Sequence, residues 1–182
     1  VEVGREELLS KYKGKKTIDA EKDIVMPGFI NTHTHVSMVA FRSLADDVPD
    51  RLSRYIFPLE NKLVSRDLVY KGAVYGILEM VSTGTTTFTD MYYFEDEVAK
   101  AAELIGMRGI LGETVIKNPV ADAKEPYGGI EYAEKFIKQY KNSQLVTPAF
   151  APHAPYTVDE EHLKKITELS KKYNVPVLMH IA

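Results

Sequence analysis

An apolar run leads directly into two histidines in the stretch Val25-Met26-Pro27-Gly28-Phe29-Ile30-Asn31-Thr32-His33-Thr34-His35. We predict a strand over residues 24–30, buried on both faces, as is typical of a parallel strand covered by helices. Side chains alternate along a strand, so His33 and His35 leave its end on the same side, close enough to share one cation. Two ordinary surface or packing histidines are the alternative, and the spacing alone does not separate the two interpretations.

Helix and strand patterns alternate along the rest of the chain. Predicted helices begin after Ser65, run over about Glu95 to Ile105, follow the apolar stripe from Tyr132 to Tyr140, and begin at a capping box made by Thr157 and Glu160. Between them, β-branched and apolar runs predict strands over residues 85–90, 108–116, 145–151 and 175–181. Strands separated by helices indicate βα units and a parallel sheet.

The number of strands limits the architecture. Five strands do not close the eight-stranded barrel that this repeat suggests, and such a barrel takes about 250 residues. An open, doubly wound sheet is the alternative. Because the chain stops at Ala182, directly after a predicted strand, we predict an α/β fold that is the N-terminal portion, about five βα units, of a TIM-type (β/α)8 barrel from a longer chain.

Composition excludes several classes of function. The 182 residues are 45% hydrophobic and 27% charged, as in a globular domain that buries a core. The formal net charge of -3 gives no signature of nucleic-acid binding, and no apolar run is long enough to span a membrane. The chain has no cysteine, so a transition metal would be held by histidines and carboxylates. We expect a cytoplasmic protein.

The histidines sort onto one predicted face. In parallel α/β sheets and barrels, functional groups collect where strands end. Asp90 ends the second predicted strand, where it can support the chain by hydrogen bonding, whereas His162 lies within a helix and is expected to be solvated. The other four of the five histidines follow strand ends: His33, His35, His153 and His180. This sorting favours a metal site.

Several motifs together resemble one enzyme family. They are the first stretch, Pro58-Leu59-Glu60, the run from Thr83 to Tyr92, Ala151-Pro152-His153-Ala154-Pro155-Tyr156, and Val177-Leu178-Met179-His180. They resemble the amidohydrolase superfamily, in particular aminohydrolases that act on S-adenosylhomocysteine, methylthioadenosine or 5'-deoxyadenosine. The resemblance extends from about Thr17 to Ala182. It implies that residues 1–23 are the end of an N-terminal β-sandwich segment and a linker, and that residues 24–182 are the partial barrel.

The resemblance also implies roles for individual residues. His33, His35 and His180 would ligate one divalent metal ion, with zinc as the first choice and iron as the alternative. Glu60 would hold the ribose hydroxyls, and His153 would contact the nucleoside. Hydroxide activated by the metal would attack purine C6, and ammonia would leave. The subgroup's proton-shuttle glutamate, a further histidine and a metal-binding aspartate would follow Ala182, so the segment alone is expected to be catalytically incomplete.

Two departures from the family pattern bear on the substrate. Glu113 and Ile130 stand where relatives that accept S-adenosylhomocysteine carry arginines, so a substrate carboxylate would be unpaired or would face Glu113. This favours 5'-deoxyadenosine, methylthioadenosine or adenosine as the small-molecule nucleoside. Guanine or cytosine deamination and triazine dechlorination are the alternative reactions, and an inactive fragment or a binding-only scaffold is the non-enzyme alternative. The oligomeric state stays open, a homo-oligomer included.

Overall fold

Four parallel strands form the sheet of the computed structural model, which describes residues 2–181. In the sheet they lie in the order in which they follow one another along the chain: β1 (Phe29–Thr34), β2 (Thr85–Tyr92), β3 (Arg108–Val115) and β4 (Val146–Pro152). Each neighbouring pair is parallel. The carboxyl ends of all four strands therefore meet at one edge of the sheet, as the alternating pattern predicted.

Helices connect the strands. Ser65 accepts a hydrogen bond from the Leu68 backbone amide at the start of α3 (Arg66–Ser82), and Gly84, with φ of +87°, follows the end of this helix. Gly106, with φ of +84°, ends α4 (Glu95–Ile105). The helices are α1 (Glu7–Lys11), α2 (Phe57–Leu63), α3 (Arg66–Ser82), α4 (Glu95–Ile105), α5 (Gly129–Tyr140) and α6 (Glu160–Tyr173).

The core lies between the sheet and the helices. One cluster of buried side chains includes Val69 and Ile77 of α3, Phe88 of β2 and Val98 of α4. A second cluster packs α5 and α6 against the end of the sheet, with Phe150 fully buried. Val81 of α3 lies outside these clusters and is 47% exposed.

The first strand differs from its prediction. Strand pairing covers Phe29–Thr34 rather than residues 24–30, and Ile24 and Val25 are 88% and 84% exposed. Phe29 and Ile30 are also largely exposed. The physical reason is that β1 is an edge strand of the described sheet, because it pairs with β2 alone. An apolar run predicts burial only where another layer covers it, and nothing within residues 2–181 covers this one.

The predicted fifth strand is reduced to one bridge. Val177 pairs in parallel with Phe150, and the Leu178 backbone amide donates to the Phe150 carbonyl at 2.9 Å. Pro176 has no N–H to extend the ladder, although its carbonyl accepts from the Phe150 amide at 3.2 Å. The segment nevertheless runs beside β4 far enough for the His180 amide to donate to the His153 carbonyl at 3.1 Å.

The start of α6 also differs from the sequence prediction. Asp159, not Thr157, caps the helix, since its side chain accepts from the His162 backbone amide at 2.9 Å. Thr157 instead accepts from the Ala154 amide at 3.1 Å, in the turn that follows β4. His162 is not simply solvated, because its ring stacks on Tyr127 with the ring centroids 3.5 Å apart.

The long connection between β1 and α3 is mostly helical. It contains a 3₁₀ segment over Val36–Phe41, a turn of π-helix over Leu52–Ile56 and then α2. Gly72 and Gly76 of α3 pack directly against Val36 and Ser37. The connection therefore folds back over the carboxyl end of the sheet. Among residues 2–181, none of the helices has the length and apolar character that crossing a bilayer requires.

Candidate metal centre and substrate cavity

Three of the predicted site residues converge at the carboxyl end of the sheet. His33 lies in β1, His35 follows the strand directly, and His180 lies in the segment beside β4. The ring centroids are 5.0 Å apart for His33 and His35, 5.0 Å for His33 and His180, and 5.1 Å for His35 and His180. One nitrogen from each ring lies within 4.8 Å of the others. The three histidines can thus approach one ion.

Hydrogen bonding selects the nitrogen that His35 offers. Its Nδ1 lies 2.6 Å from the Met91 carbonyl oxygen, which only accepts, so Nδ1 carries the proton and Nε2 is left for a ligand. Burial lowers the pKa of His35, and the neighbouring His33 lowers it further, against the opposing effect of the Met91 hydrogen bond. Burial and the other two histidines also lower the pKa of His180. Both rings are therefore neutral at pH 7.

This donor set fits a divalent transition metal. Neutral imidazoles are the state that ligates a metal, and histidine nitrogens are typical ligands of catalytic zinc. The clustered nitrogens and the hydrogen-bonded orientation of His35 fit such a site. Among residues 2–181, this trio is the cluster of histidine and acidic side chains whose ligand atoms are close enough to hold an ion.

Asp90 supports the site from behind, as its position at a strand end suggested. Its Oδ1 accepts from the Val36 backbone amide at 2.7 Å and lies 2.5 Å from Thr34 Oγ1. Thr34 Oγ1 is also 2.9 Å from the Thr89 carbonyl, and its single proton serves one acceptor at a time. Asp90 therefore holds the residues on both sides of His35.

A cavity of about 290 Å³ opens beside the histidines. Apolar side chains from the connection and polar groups from the sheet form its walls. The lining residues include His35, Arg51, Leu52, Phe57, Glu60, Tyr92, Tyr93, Thr114, His153, Tyr156 and His180. A pocket that is mainly apolar, with a few convergent polar groups, is typical of a small-molecule site.

Glu60 reaches this cavity from α2. It is only 5% exposed, and Tyr92 donates its hydroxyl proton to Glu60 Oε1 at 2.8 Å. Burial raises the pKa of Glu60 to about 7, and the hydrogen bond from Tyr92 opposes that shift. The same burial and the nearby Glu60 charge raise the pKa of Tyr92, so its hydroxyl stays a donor. Near pH 7, Glu60 can thus change between an acceptor-only carboxylate and a neutral acid.

His153 lies between the cavity and the other histidines. Its backbone amide donates to the Val115 carbonyl at 3.0 Å, and its Nδ1 lies 3.0 Å from Thr157 Oγ1. Its ring centroid is 5.3 Å from that of His180 and 6.3 Å from that of Phe57. Burial, with smaller effects from His180 and His35, lowers the pKa of His153 to about 4. The ring is therefore neutral and fixed through Nδ1, so Nε2 can meet a ligand.

Glu113 does not face the cavity, contrary to the sequence interpretation. Its neighbour Thr114 lines the cavity, so the alternation along β3 turns Glu113 toward α4. There it is fully buried and accepts from the Glu95 backbone amide at 3.0 Å. Ile130 packs into the second core cluster. Glu113 therefore cannot repel a substrate carboxylate in the cavity. Neither position 113 nor position 130 carries an arginine that could pair with such a carboxylate.

Sequence reasoning missed the partners that orient the site. Met91 and Tyr92, whose carbonyl and hydroxyl hold His35 and Glu60, directly follow Asp90. Their position at a strand end was a usable signal. Arg51 and Leu52 line the cavity from an irregular connection, where neither periodicity nor a motif marks them.

Known proteins resemble this chain over nearly its whole length. A 5-methylthioadenosine/S-adenosylhomocysteine deaminase from Thermodesulfovibrio yellowstonii is 42% identical over 180 residues, which cover 97% of this chain and 41% of the relative. A 5'-deoxyadenosine deaminase from Methanocaldococcus jannaschii is 41% identical over 184 residues, which cover 99% and 42%. The chain thus spans about two fifths of the length of the curated relatives it matches.

A solved structure and a family model agree with these relatives. An adenosine deaminase from Xanthomonas campestris, solved with bound zinc, matches with a TM-score of 0.82 at 34% identity, over 85% of this chain and 36% of that one. Together with the parallel sheet and its alternating helices, this match confirms the prediction of a portion of a TIM-type (β/α)8 barrel. The model of the amidohydrolase family matches residues 24–182. The chain belongs to the amidohydrolase family.

Proposed function

We propose that the protein is a metal-dependent aminohydrolase that deaminates an adenosine-type nucleoside. The observation that carries the proposal is the convergence of His33, His35 and His180 beside a cavity whose wall contains His35, His180, Glu60 and His153. The names of the relatives agree with it, since they are deaminases of adenosine derivatives. The three histidines are proposed as ligands of one divalent ion, zinc first and iron second.

The chemistry follows from the histidine ligands. A divalent ion held by them would lower the pKa of water to about 7 and so would supply a nucleophile for purine C6 at neutral pH. The protein's own part is to hold the three nitrogens in place. The Met91 carbonyl orients His35. The backbone amide of His180 donates to the His153 carbonyl, which fixes the backbone of His180.

Glu60 and His153 are proposed to orient the nucleoside. An ionised Glu60 accepts two hydroxyl protons, as the 2' and 3' hydroxyls of a ribose require, while the hydrogen bond from Tyr92 holds its carboxyl group. His153 presents a neutral Nε2 to the bound base. Phe57 and Leu52 supply apolar surface that keeps water from the reacting face of the purine.

Nucleosides without an anionic tail are the proposed substrates, namely 5'-deoxyadenosine, methylthioadenosine and adenosine, ahead of S-adenosylhomocysteine. Arg51 is a cation in the cavity wall, but its guanidinium lies 3.1 Å from an Asp46 carboxylate oxygen. Its charge is therefore already paired. A substrate carboxylate would have to compete with Asp46 for this arginine.

Kinetics on the full-length protein test the proposal. Purified with zinc, it should release ammonia from all four nucleosides, with kcat/KM for 5'-deoxyadenosine above that for S-adenosylhomocysteine. About one equivalent of metal should copurify. A metal-free native protein without deaminase activity would contradict the function, whereas S-adenosylhomocysteine as the best substrate would overturn only the substrate order.

Bases without ribose are weaker candidates. Guanine, cytosine or a triazine would leave Glu60 without a hydroxyl partner in the cavity wall, although it is held there by Tyr92. Residues 1–23 remain proposed as the end of a β-sandwich segment and a linker; within residues 2–23, side chains are exposed except for half-buried Leu8 and Ala20. A structure of the full-length protein would test that assignment. A cytoplasmic location and self-association also remain predictions.

A further inference from the structure

Four acidic side chains form a row behind the histidines, and the proposed function does not use them. This acid row consists of Asp90, Glu95, Glu113 and Asp122; the first three are at most 1% exposed. Five of their oxygen atoms are buried without a hydrogen-bond donor among the described residues: Asp90 Oδ2, Glu95 Oε1, Glu95 Oε2, Glu113 Oε1 and Asp122 Oδ1. Buried acceptors are normally paired, so the row requires an explanation.

A bound cation does not explain the acid row. In the described part of the chain, only the histidine trio brings enough ligand atoms within reach of one ion. Protons do explain it, because two neighbouring carboxyl groups can share one hydrogen bond if one of them is protonated. Glu95 neighbours Asp90 and Glu113 neighbours Asp122, so one proton shared within each pair would give these buried oxygens a partner.

Glu95 is the protonated member of the first pair. Burial and the neighbouring Asp90 raise the pKa of Glu95 well above its ordinary value. Burial also raises the pKa of Asp90, to about 6, but hydrogen bonds from Thr34 and Val36 oppose that shift. The proton therefore stays on Glu95, and Asp90 accepts it as a carboxylate.

The two pairs differ in what their other oxygens hold. Asp90 Oδ1 holds Val36 and Thr34, which flank His35. In the second pair, Glu113 and Asp122 accept from the backbone amides of Glu95 and Phe94, at 3.0 Å and 2.7 Å, and so cap α4. Only the first pair is connected to a histidine of the trio. Because Glu113 holds the backbone of Glu95 itself, Asp122 is the member of the second pair that provides a matched control.

We propose that Glu95 is a positioning residue of the metal centre: as a neutral acid it donates to the Oδ2 side of Asp90 and fixes the carboxylate that holds both sides of His35. The role in metal binding rests on the proposed function. The role in holding the backbone around His35 does not, since the hydrogen bonds from Val36 and Thr34 exist without an ion.

Two readouts on the full-length protein test this role. The first is hydrogen exchange of the Val36 backbone amide in metal-free protein, and the second is the affinity for cobalt(II), measured by competition with a chelator. Glu95→Leu keeps the volume without a donor, Glu95→Gln keeps a donor, and Glu95→Asp keeps the acid but withdraws it from Asp90. Asp122→Leu is the control for loss of an acid from the second pair, and it leaves the contact between Glu113 and the Glu95 amide in place.

We expect Glu95→Leu to speed Val36 exchange and to weaken cobalt(II) binding by about tenfold, the lower end for residues that orient metal ligands. Glu95→Gln should restore both values, and Glu95→Asp should fall between them. Asp122→Leu should lower the unfolding temperature, because it removes the acceptor for the Phe94 amide, and leave both readouts unchanged. If Glu95→Leu does not fold, the other variants still test the role of Glu95. Both readouts should then match wild type in Glu95→Gln and should be partly lost in Glu95→Asp.

Three results would overturn the role of Glu95. They are unchanged Val36 exchange in Glu95→Leu or Glu95→Asp, an equal loss in Glu95→Gln, or the same loss in Asp122→Leu. A wild-type protein that binds no cobalt(II) would instead contradict the proposed function. The exchange of Val36 would then still decide whether Glu95 positions this segment.

Discussion

Two walls of the cavity are built by different physical means. The sheet wall, formed by His35, His153 and His180 together with the adjacent His33, lies where parallel strands end. The backbone carbonyls of Met91, Val115 and His153 hold it. The connection wall, formed by Arg51, Leu52, Phe57 and Glu60, comes from irregular helical turns, where one side-chain hydrogen bond holds Glu60. Under the proposed function, we expect the sheet wall to serve the chemistry and the connection wall to serve the choice of substrate.

The largest expected effect comes from the sheet wall. His33→Ala should lose the metal and lower kcat by about a thousandfold or more, because a metal ion supplies several kcal/mol of transition-state stabilisation. Metal content and ammonia release in the full-length protein measure this effect. His162→Ala, which removes a histidine stacked on Tyr127 outside the cavity, is the control and should change neither quantity. Equal losses in both variants would contradict the assignment of the sheet wall.

Glu60→Gln should act on binding rather than on chemistry. We expect KM for 5'-deoxyadenosine to rise by about 10- to 100-fold, since hydrogen bonds to charged groups contribute about 1.5–3 kcal/mol. The metal content should stay unchanged. Binding of 9-methyladenine, which lacks ribose, should not respond to the substitution. A loss of kcat without a change in KM would assign Glu60 to the chemistry instead.

The same variant carries a pH signature. Because burial raises the pKa of Glu60 to about 7, the fraction of the carboxylate that accepts ribose hydroxyls grows as the pH rises through 7. KM for a nucleoside should therefore fall between about pH 6 and pH 8, and Glu60→Gln should remove this dependence. The free energy of unfolding should fall over the same range. The raised pKa of Glu60 favours the folded state at low pH, and this contribution to stability is lost as the pH rises from 4.5 through 7.

A smaller effect is expected where the connection meets α3. A Cβ at Gly72 would lie 2.6 Å from the Ser37 backbone oxygen, so Gly72→Ala must displace the 3₁₀ segment that follows His35. Overpacking of this kind costs about 1–3 kcal/mol, more than the helix propensity gained. Denaturant unfolding measures the loss. Lys71→Ala, on the exposed side of the same helix, should be neutral, and an equally stable Gly72→Ala would contradict the close packing.

The smallest effect lies at the junction of the connection and α3. Ser65→Ala should lower the free energy of unfolding by about 1 kcal/mol, because it removes the acceptor for the Leu68 amide. Ser65→Asp retains a cap and should be neutral. Neither change should alter KM, since Ser65 lies outside the cavity. An altered KM would show that the connection wall depends on the start of α3.

Local chemistry explains why the helices were predicted well. Glu95 and Ile105 bound α4 as predicted, because Gly106 adopts a positive φ that ends the helix. Ser65 likewise marks the start of α3 through one hydrogen bond. Such signals act within a few residues and can be read without knowledge of the fold. The prediction that Thr157 caps α6 was wrong because two capping residues lie within this short range. Asp159, two residues after Thr157, is the one that caps the helix.

Burial and orientation could not be read locally. Ile24 and Val25 are as apolar as a core strand, yet they are exposed because no layer of the described structure covers them. Glu113 and Thr114 are neighbours, and only the register of β3 decides which of them faces the cavity. The same register buries Glu113 beside α4, where its pKa is raised by burial.

The sequence by itself determined the alternation of strands and helices, the histidines at strand ends and the family to which they belong, because these depend on periodicity and on residue type. Tertiary structure alone decided that His33, His35 and His180 lie within ligand distance, that Glu60 enters the cavity wall, and that Glu95 meets Asp90. The reason is that these contacts join residues far apart in the chain. Their distances depend on how strands and helices pack, which no local pattern records.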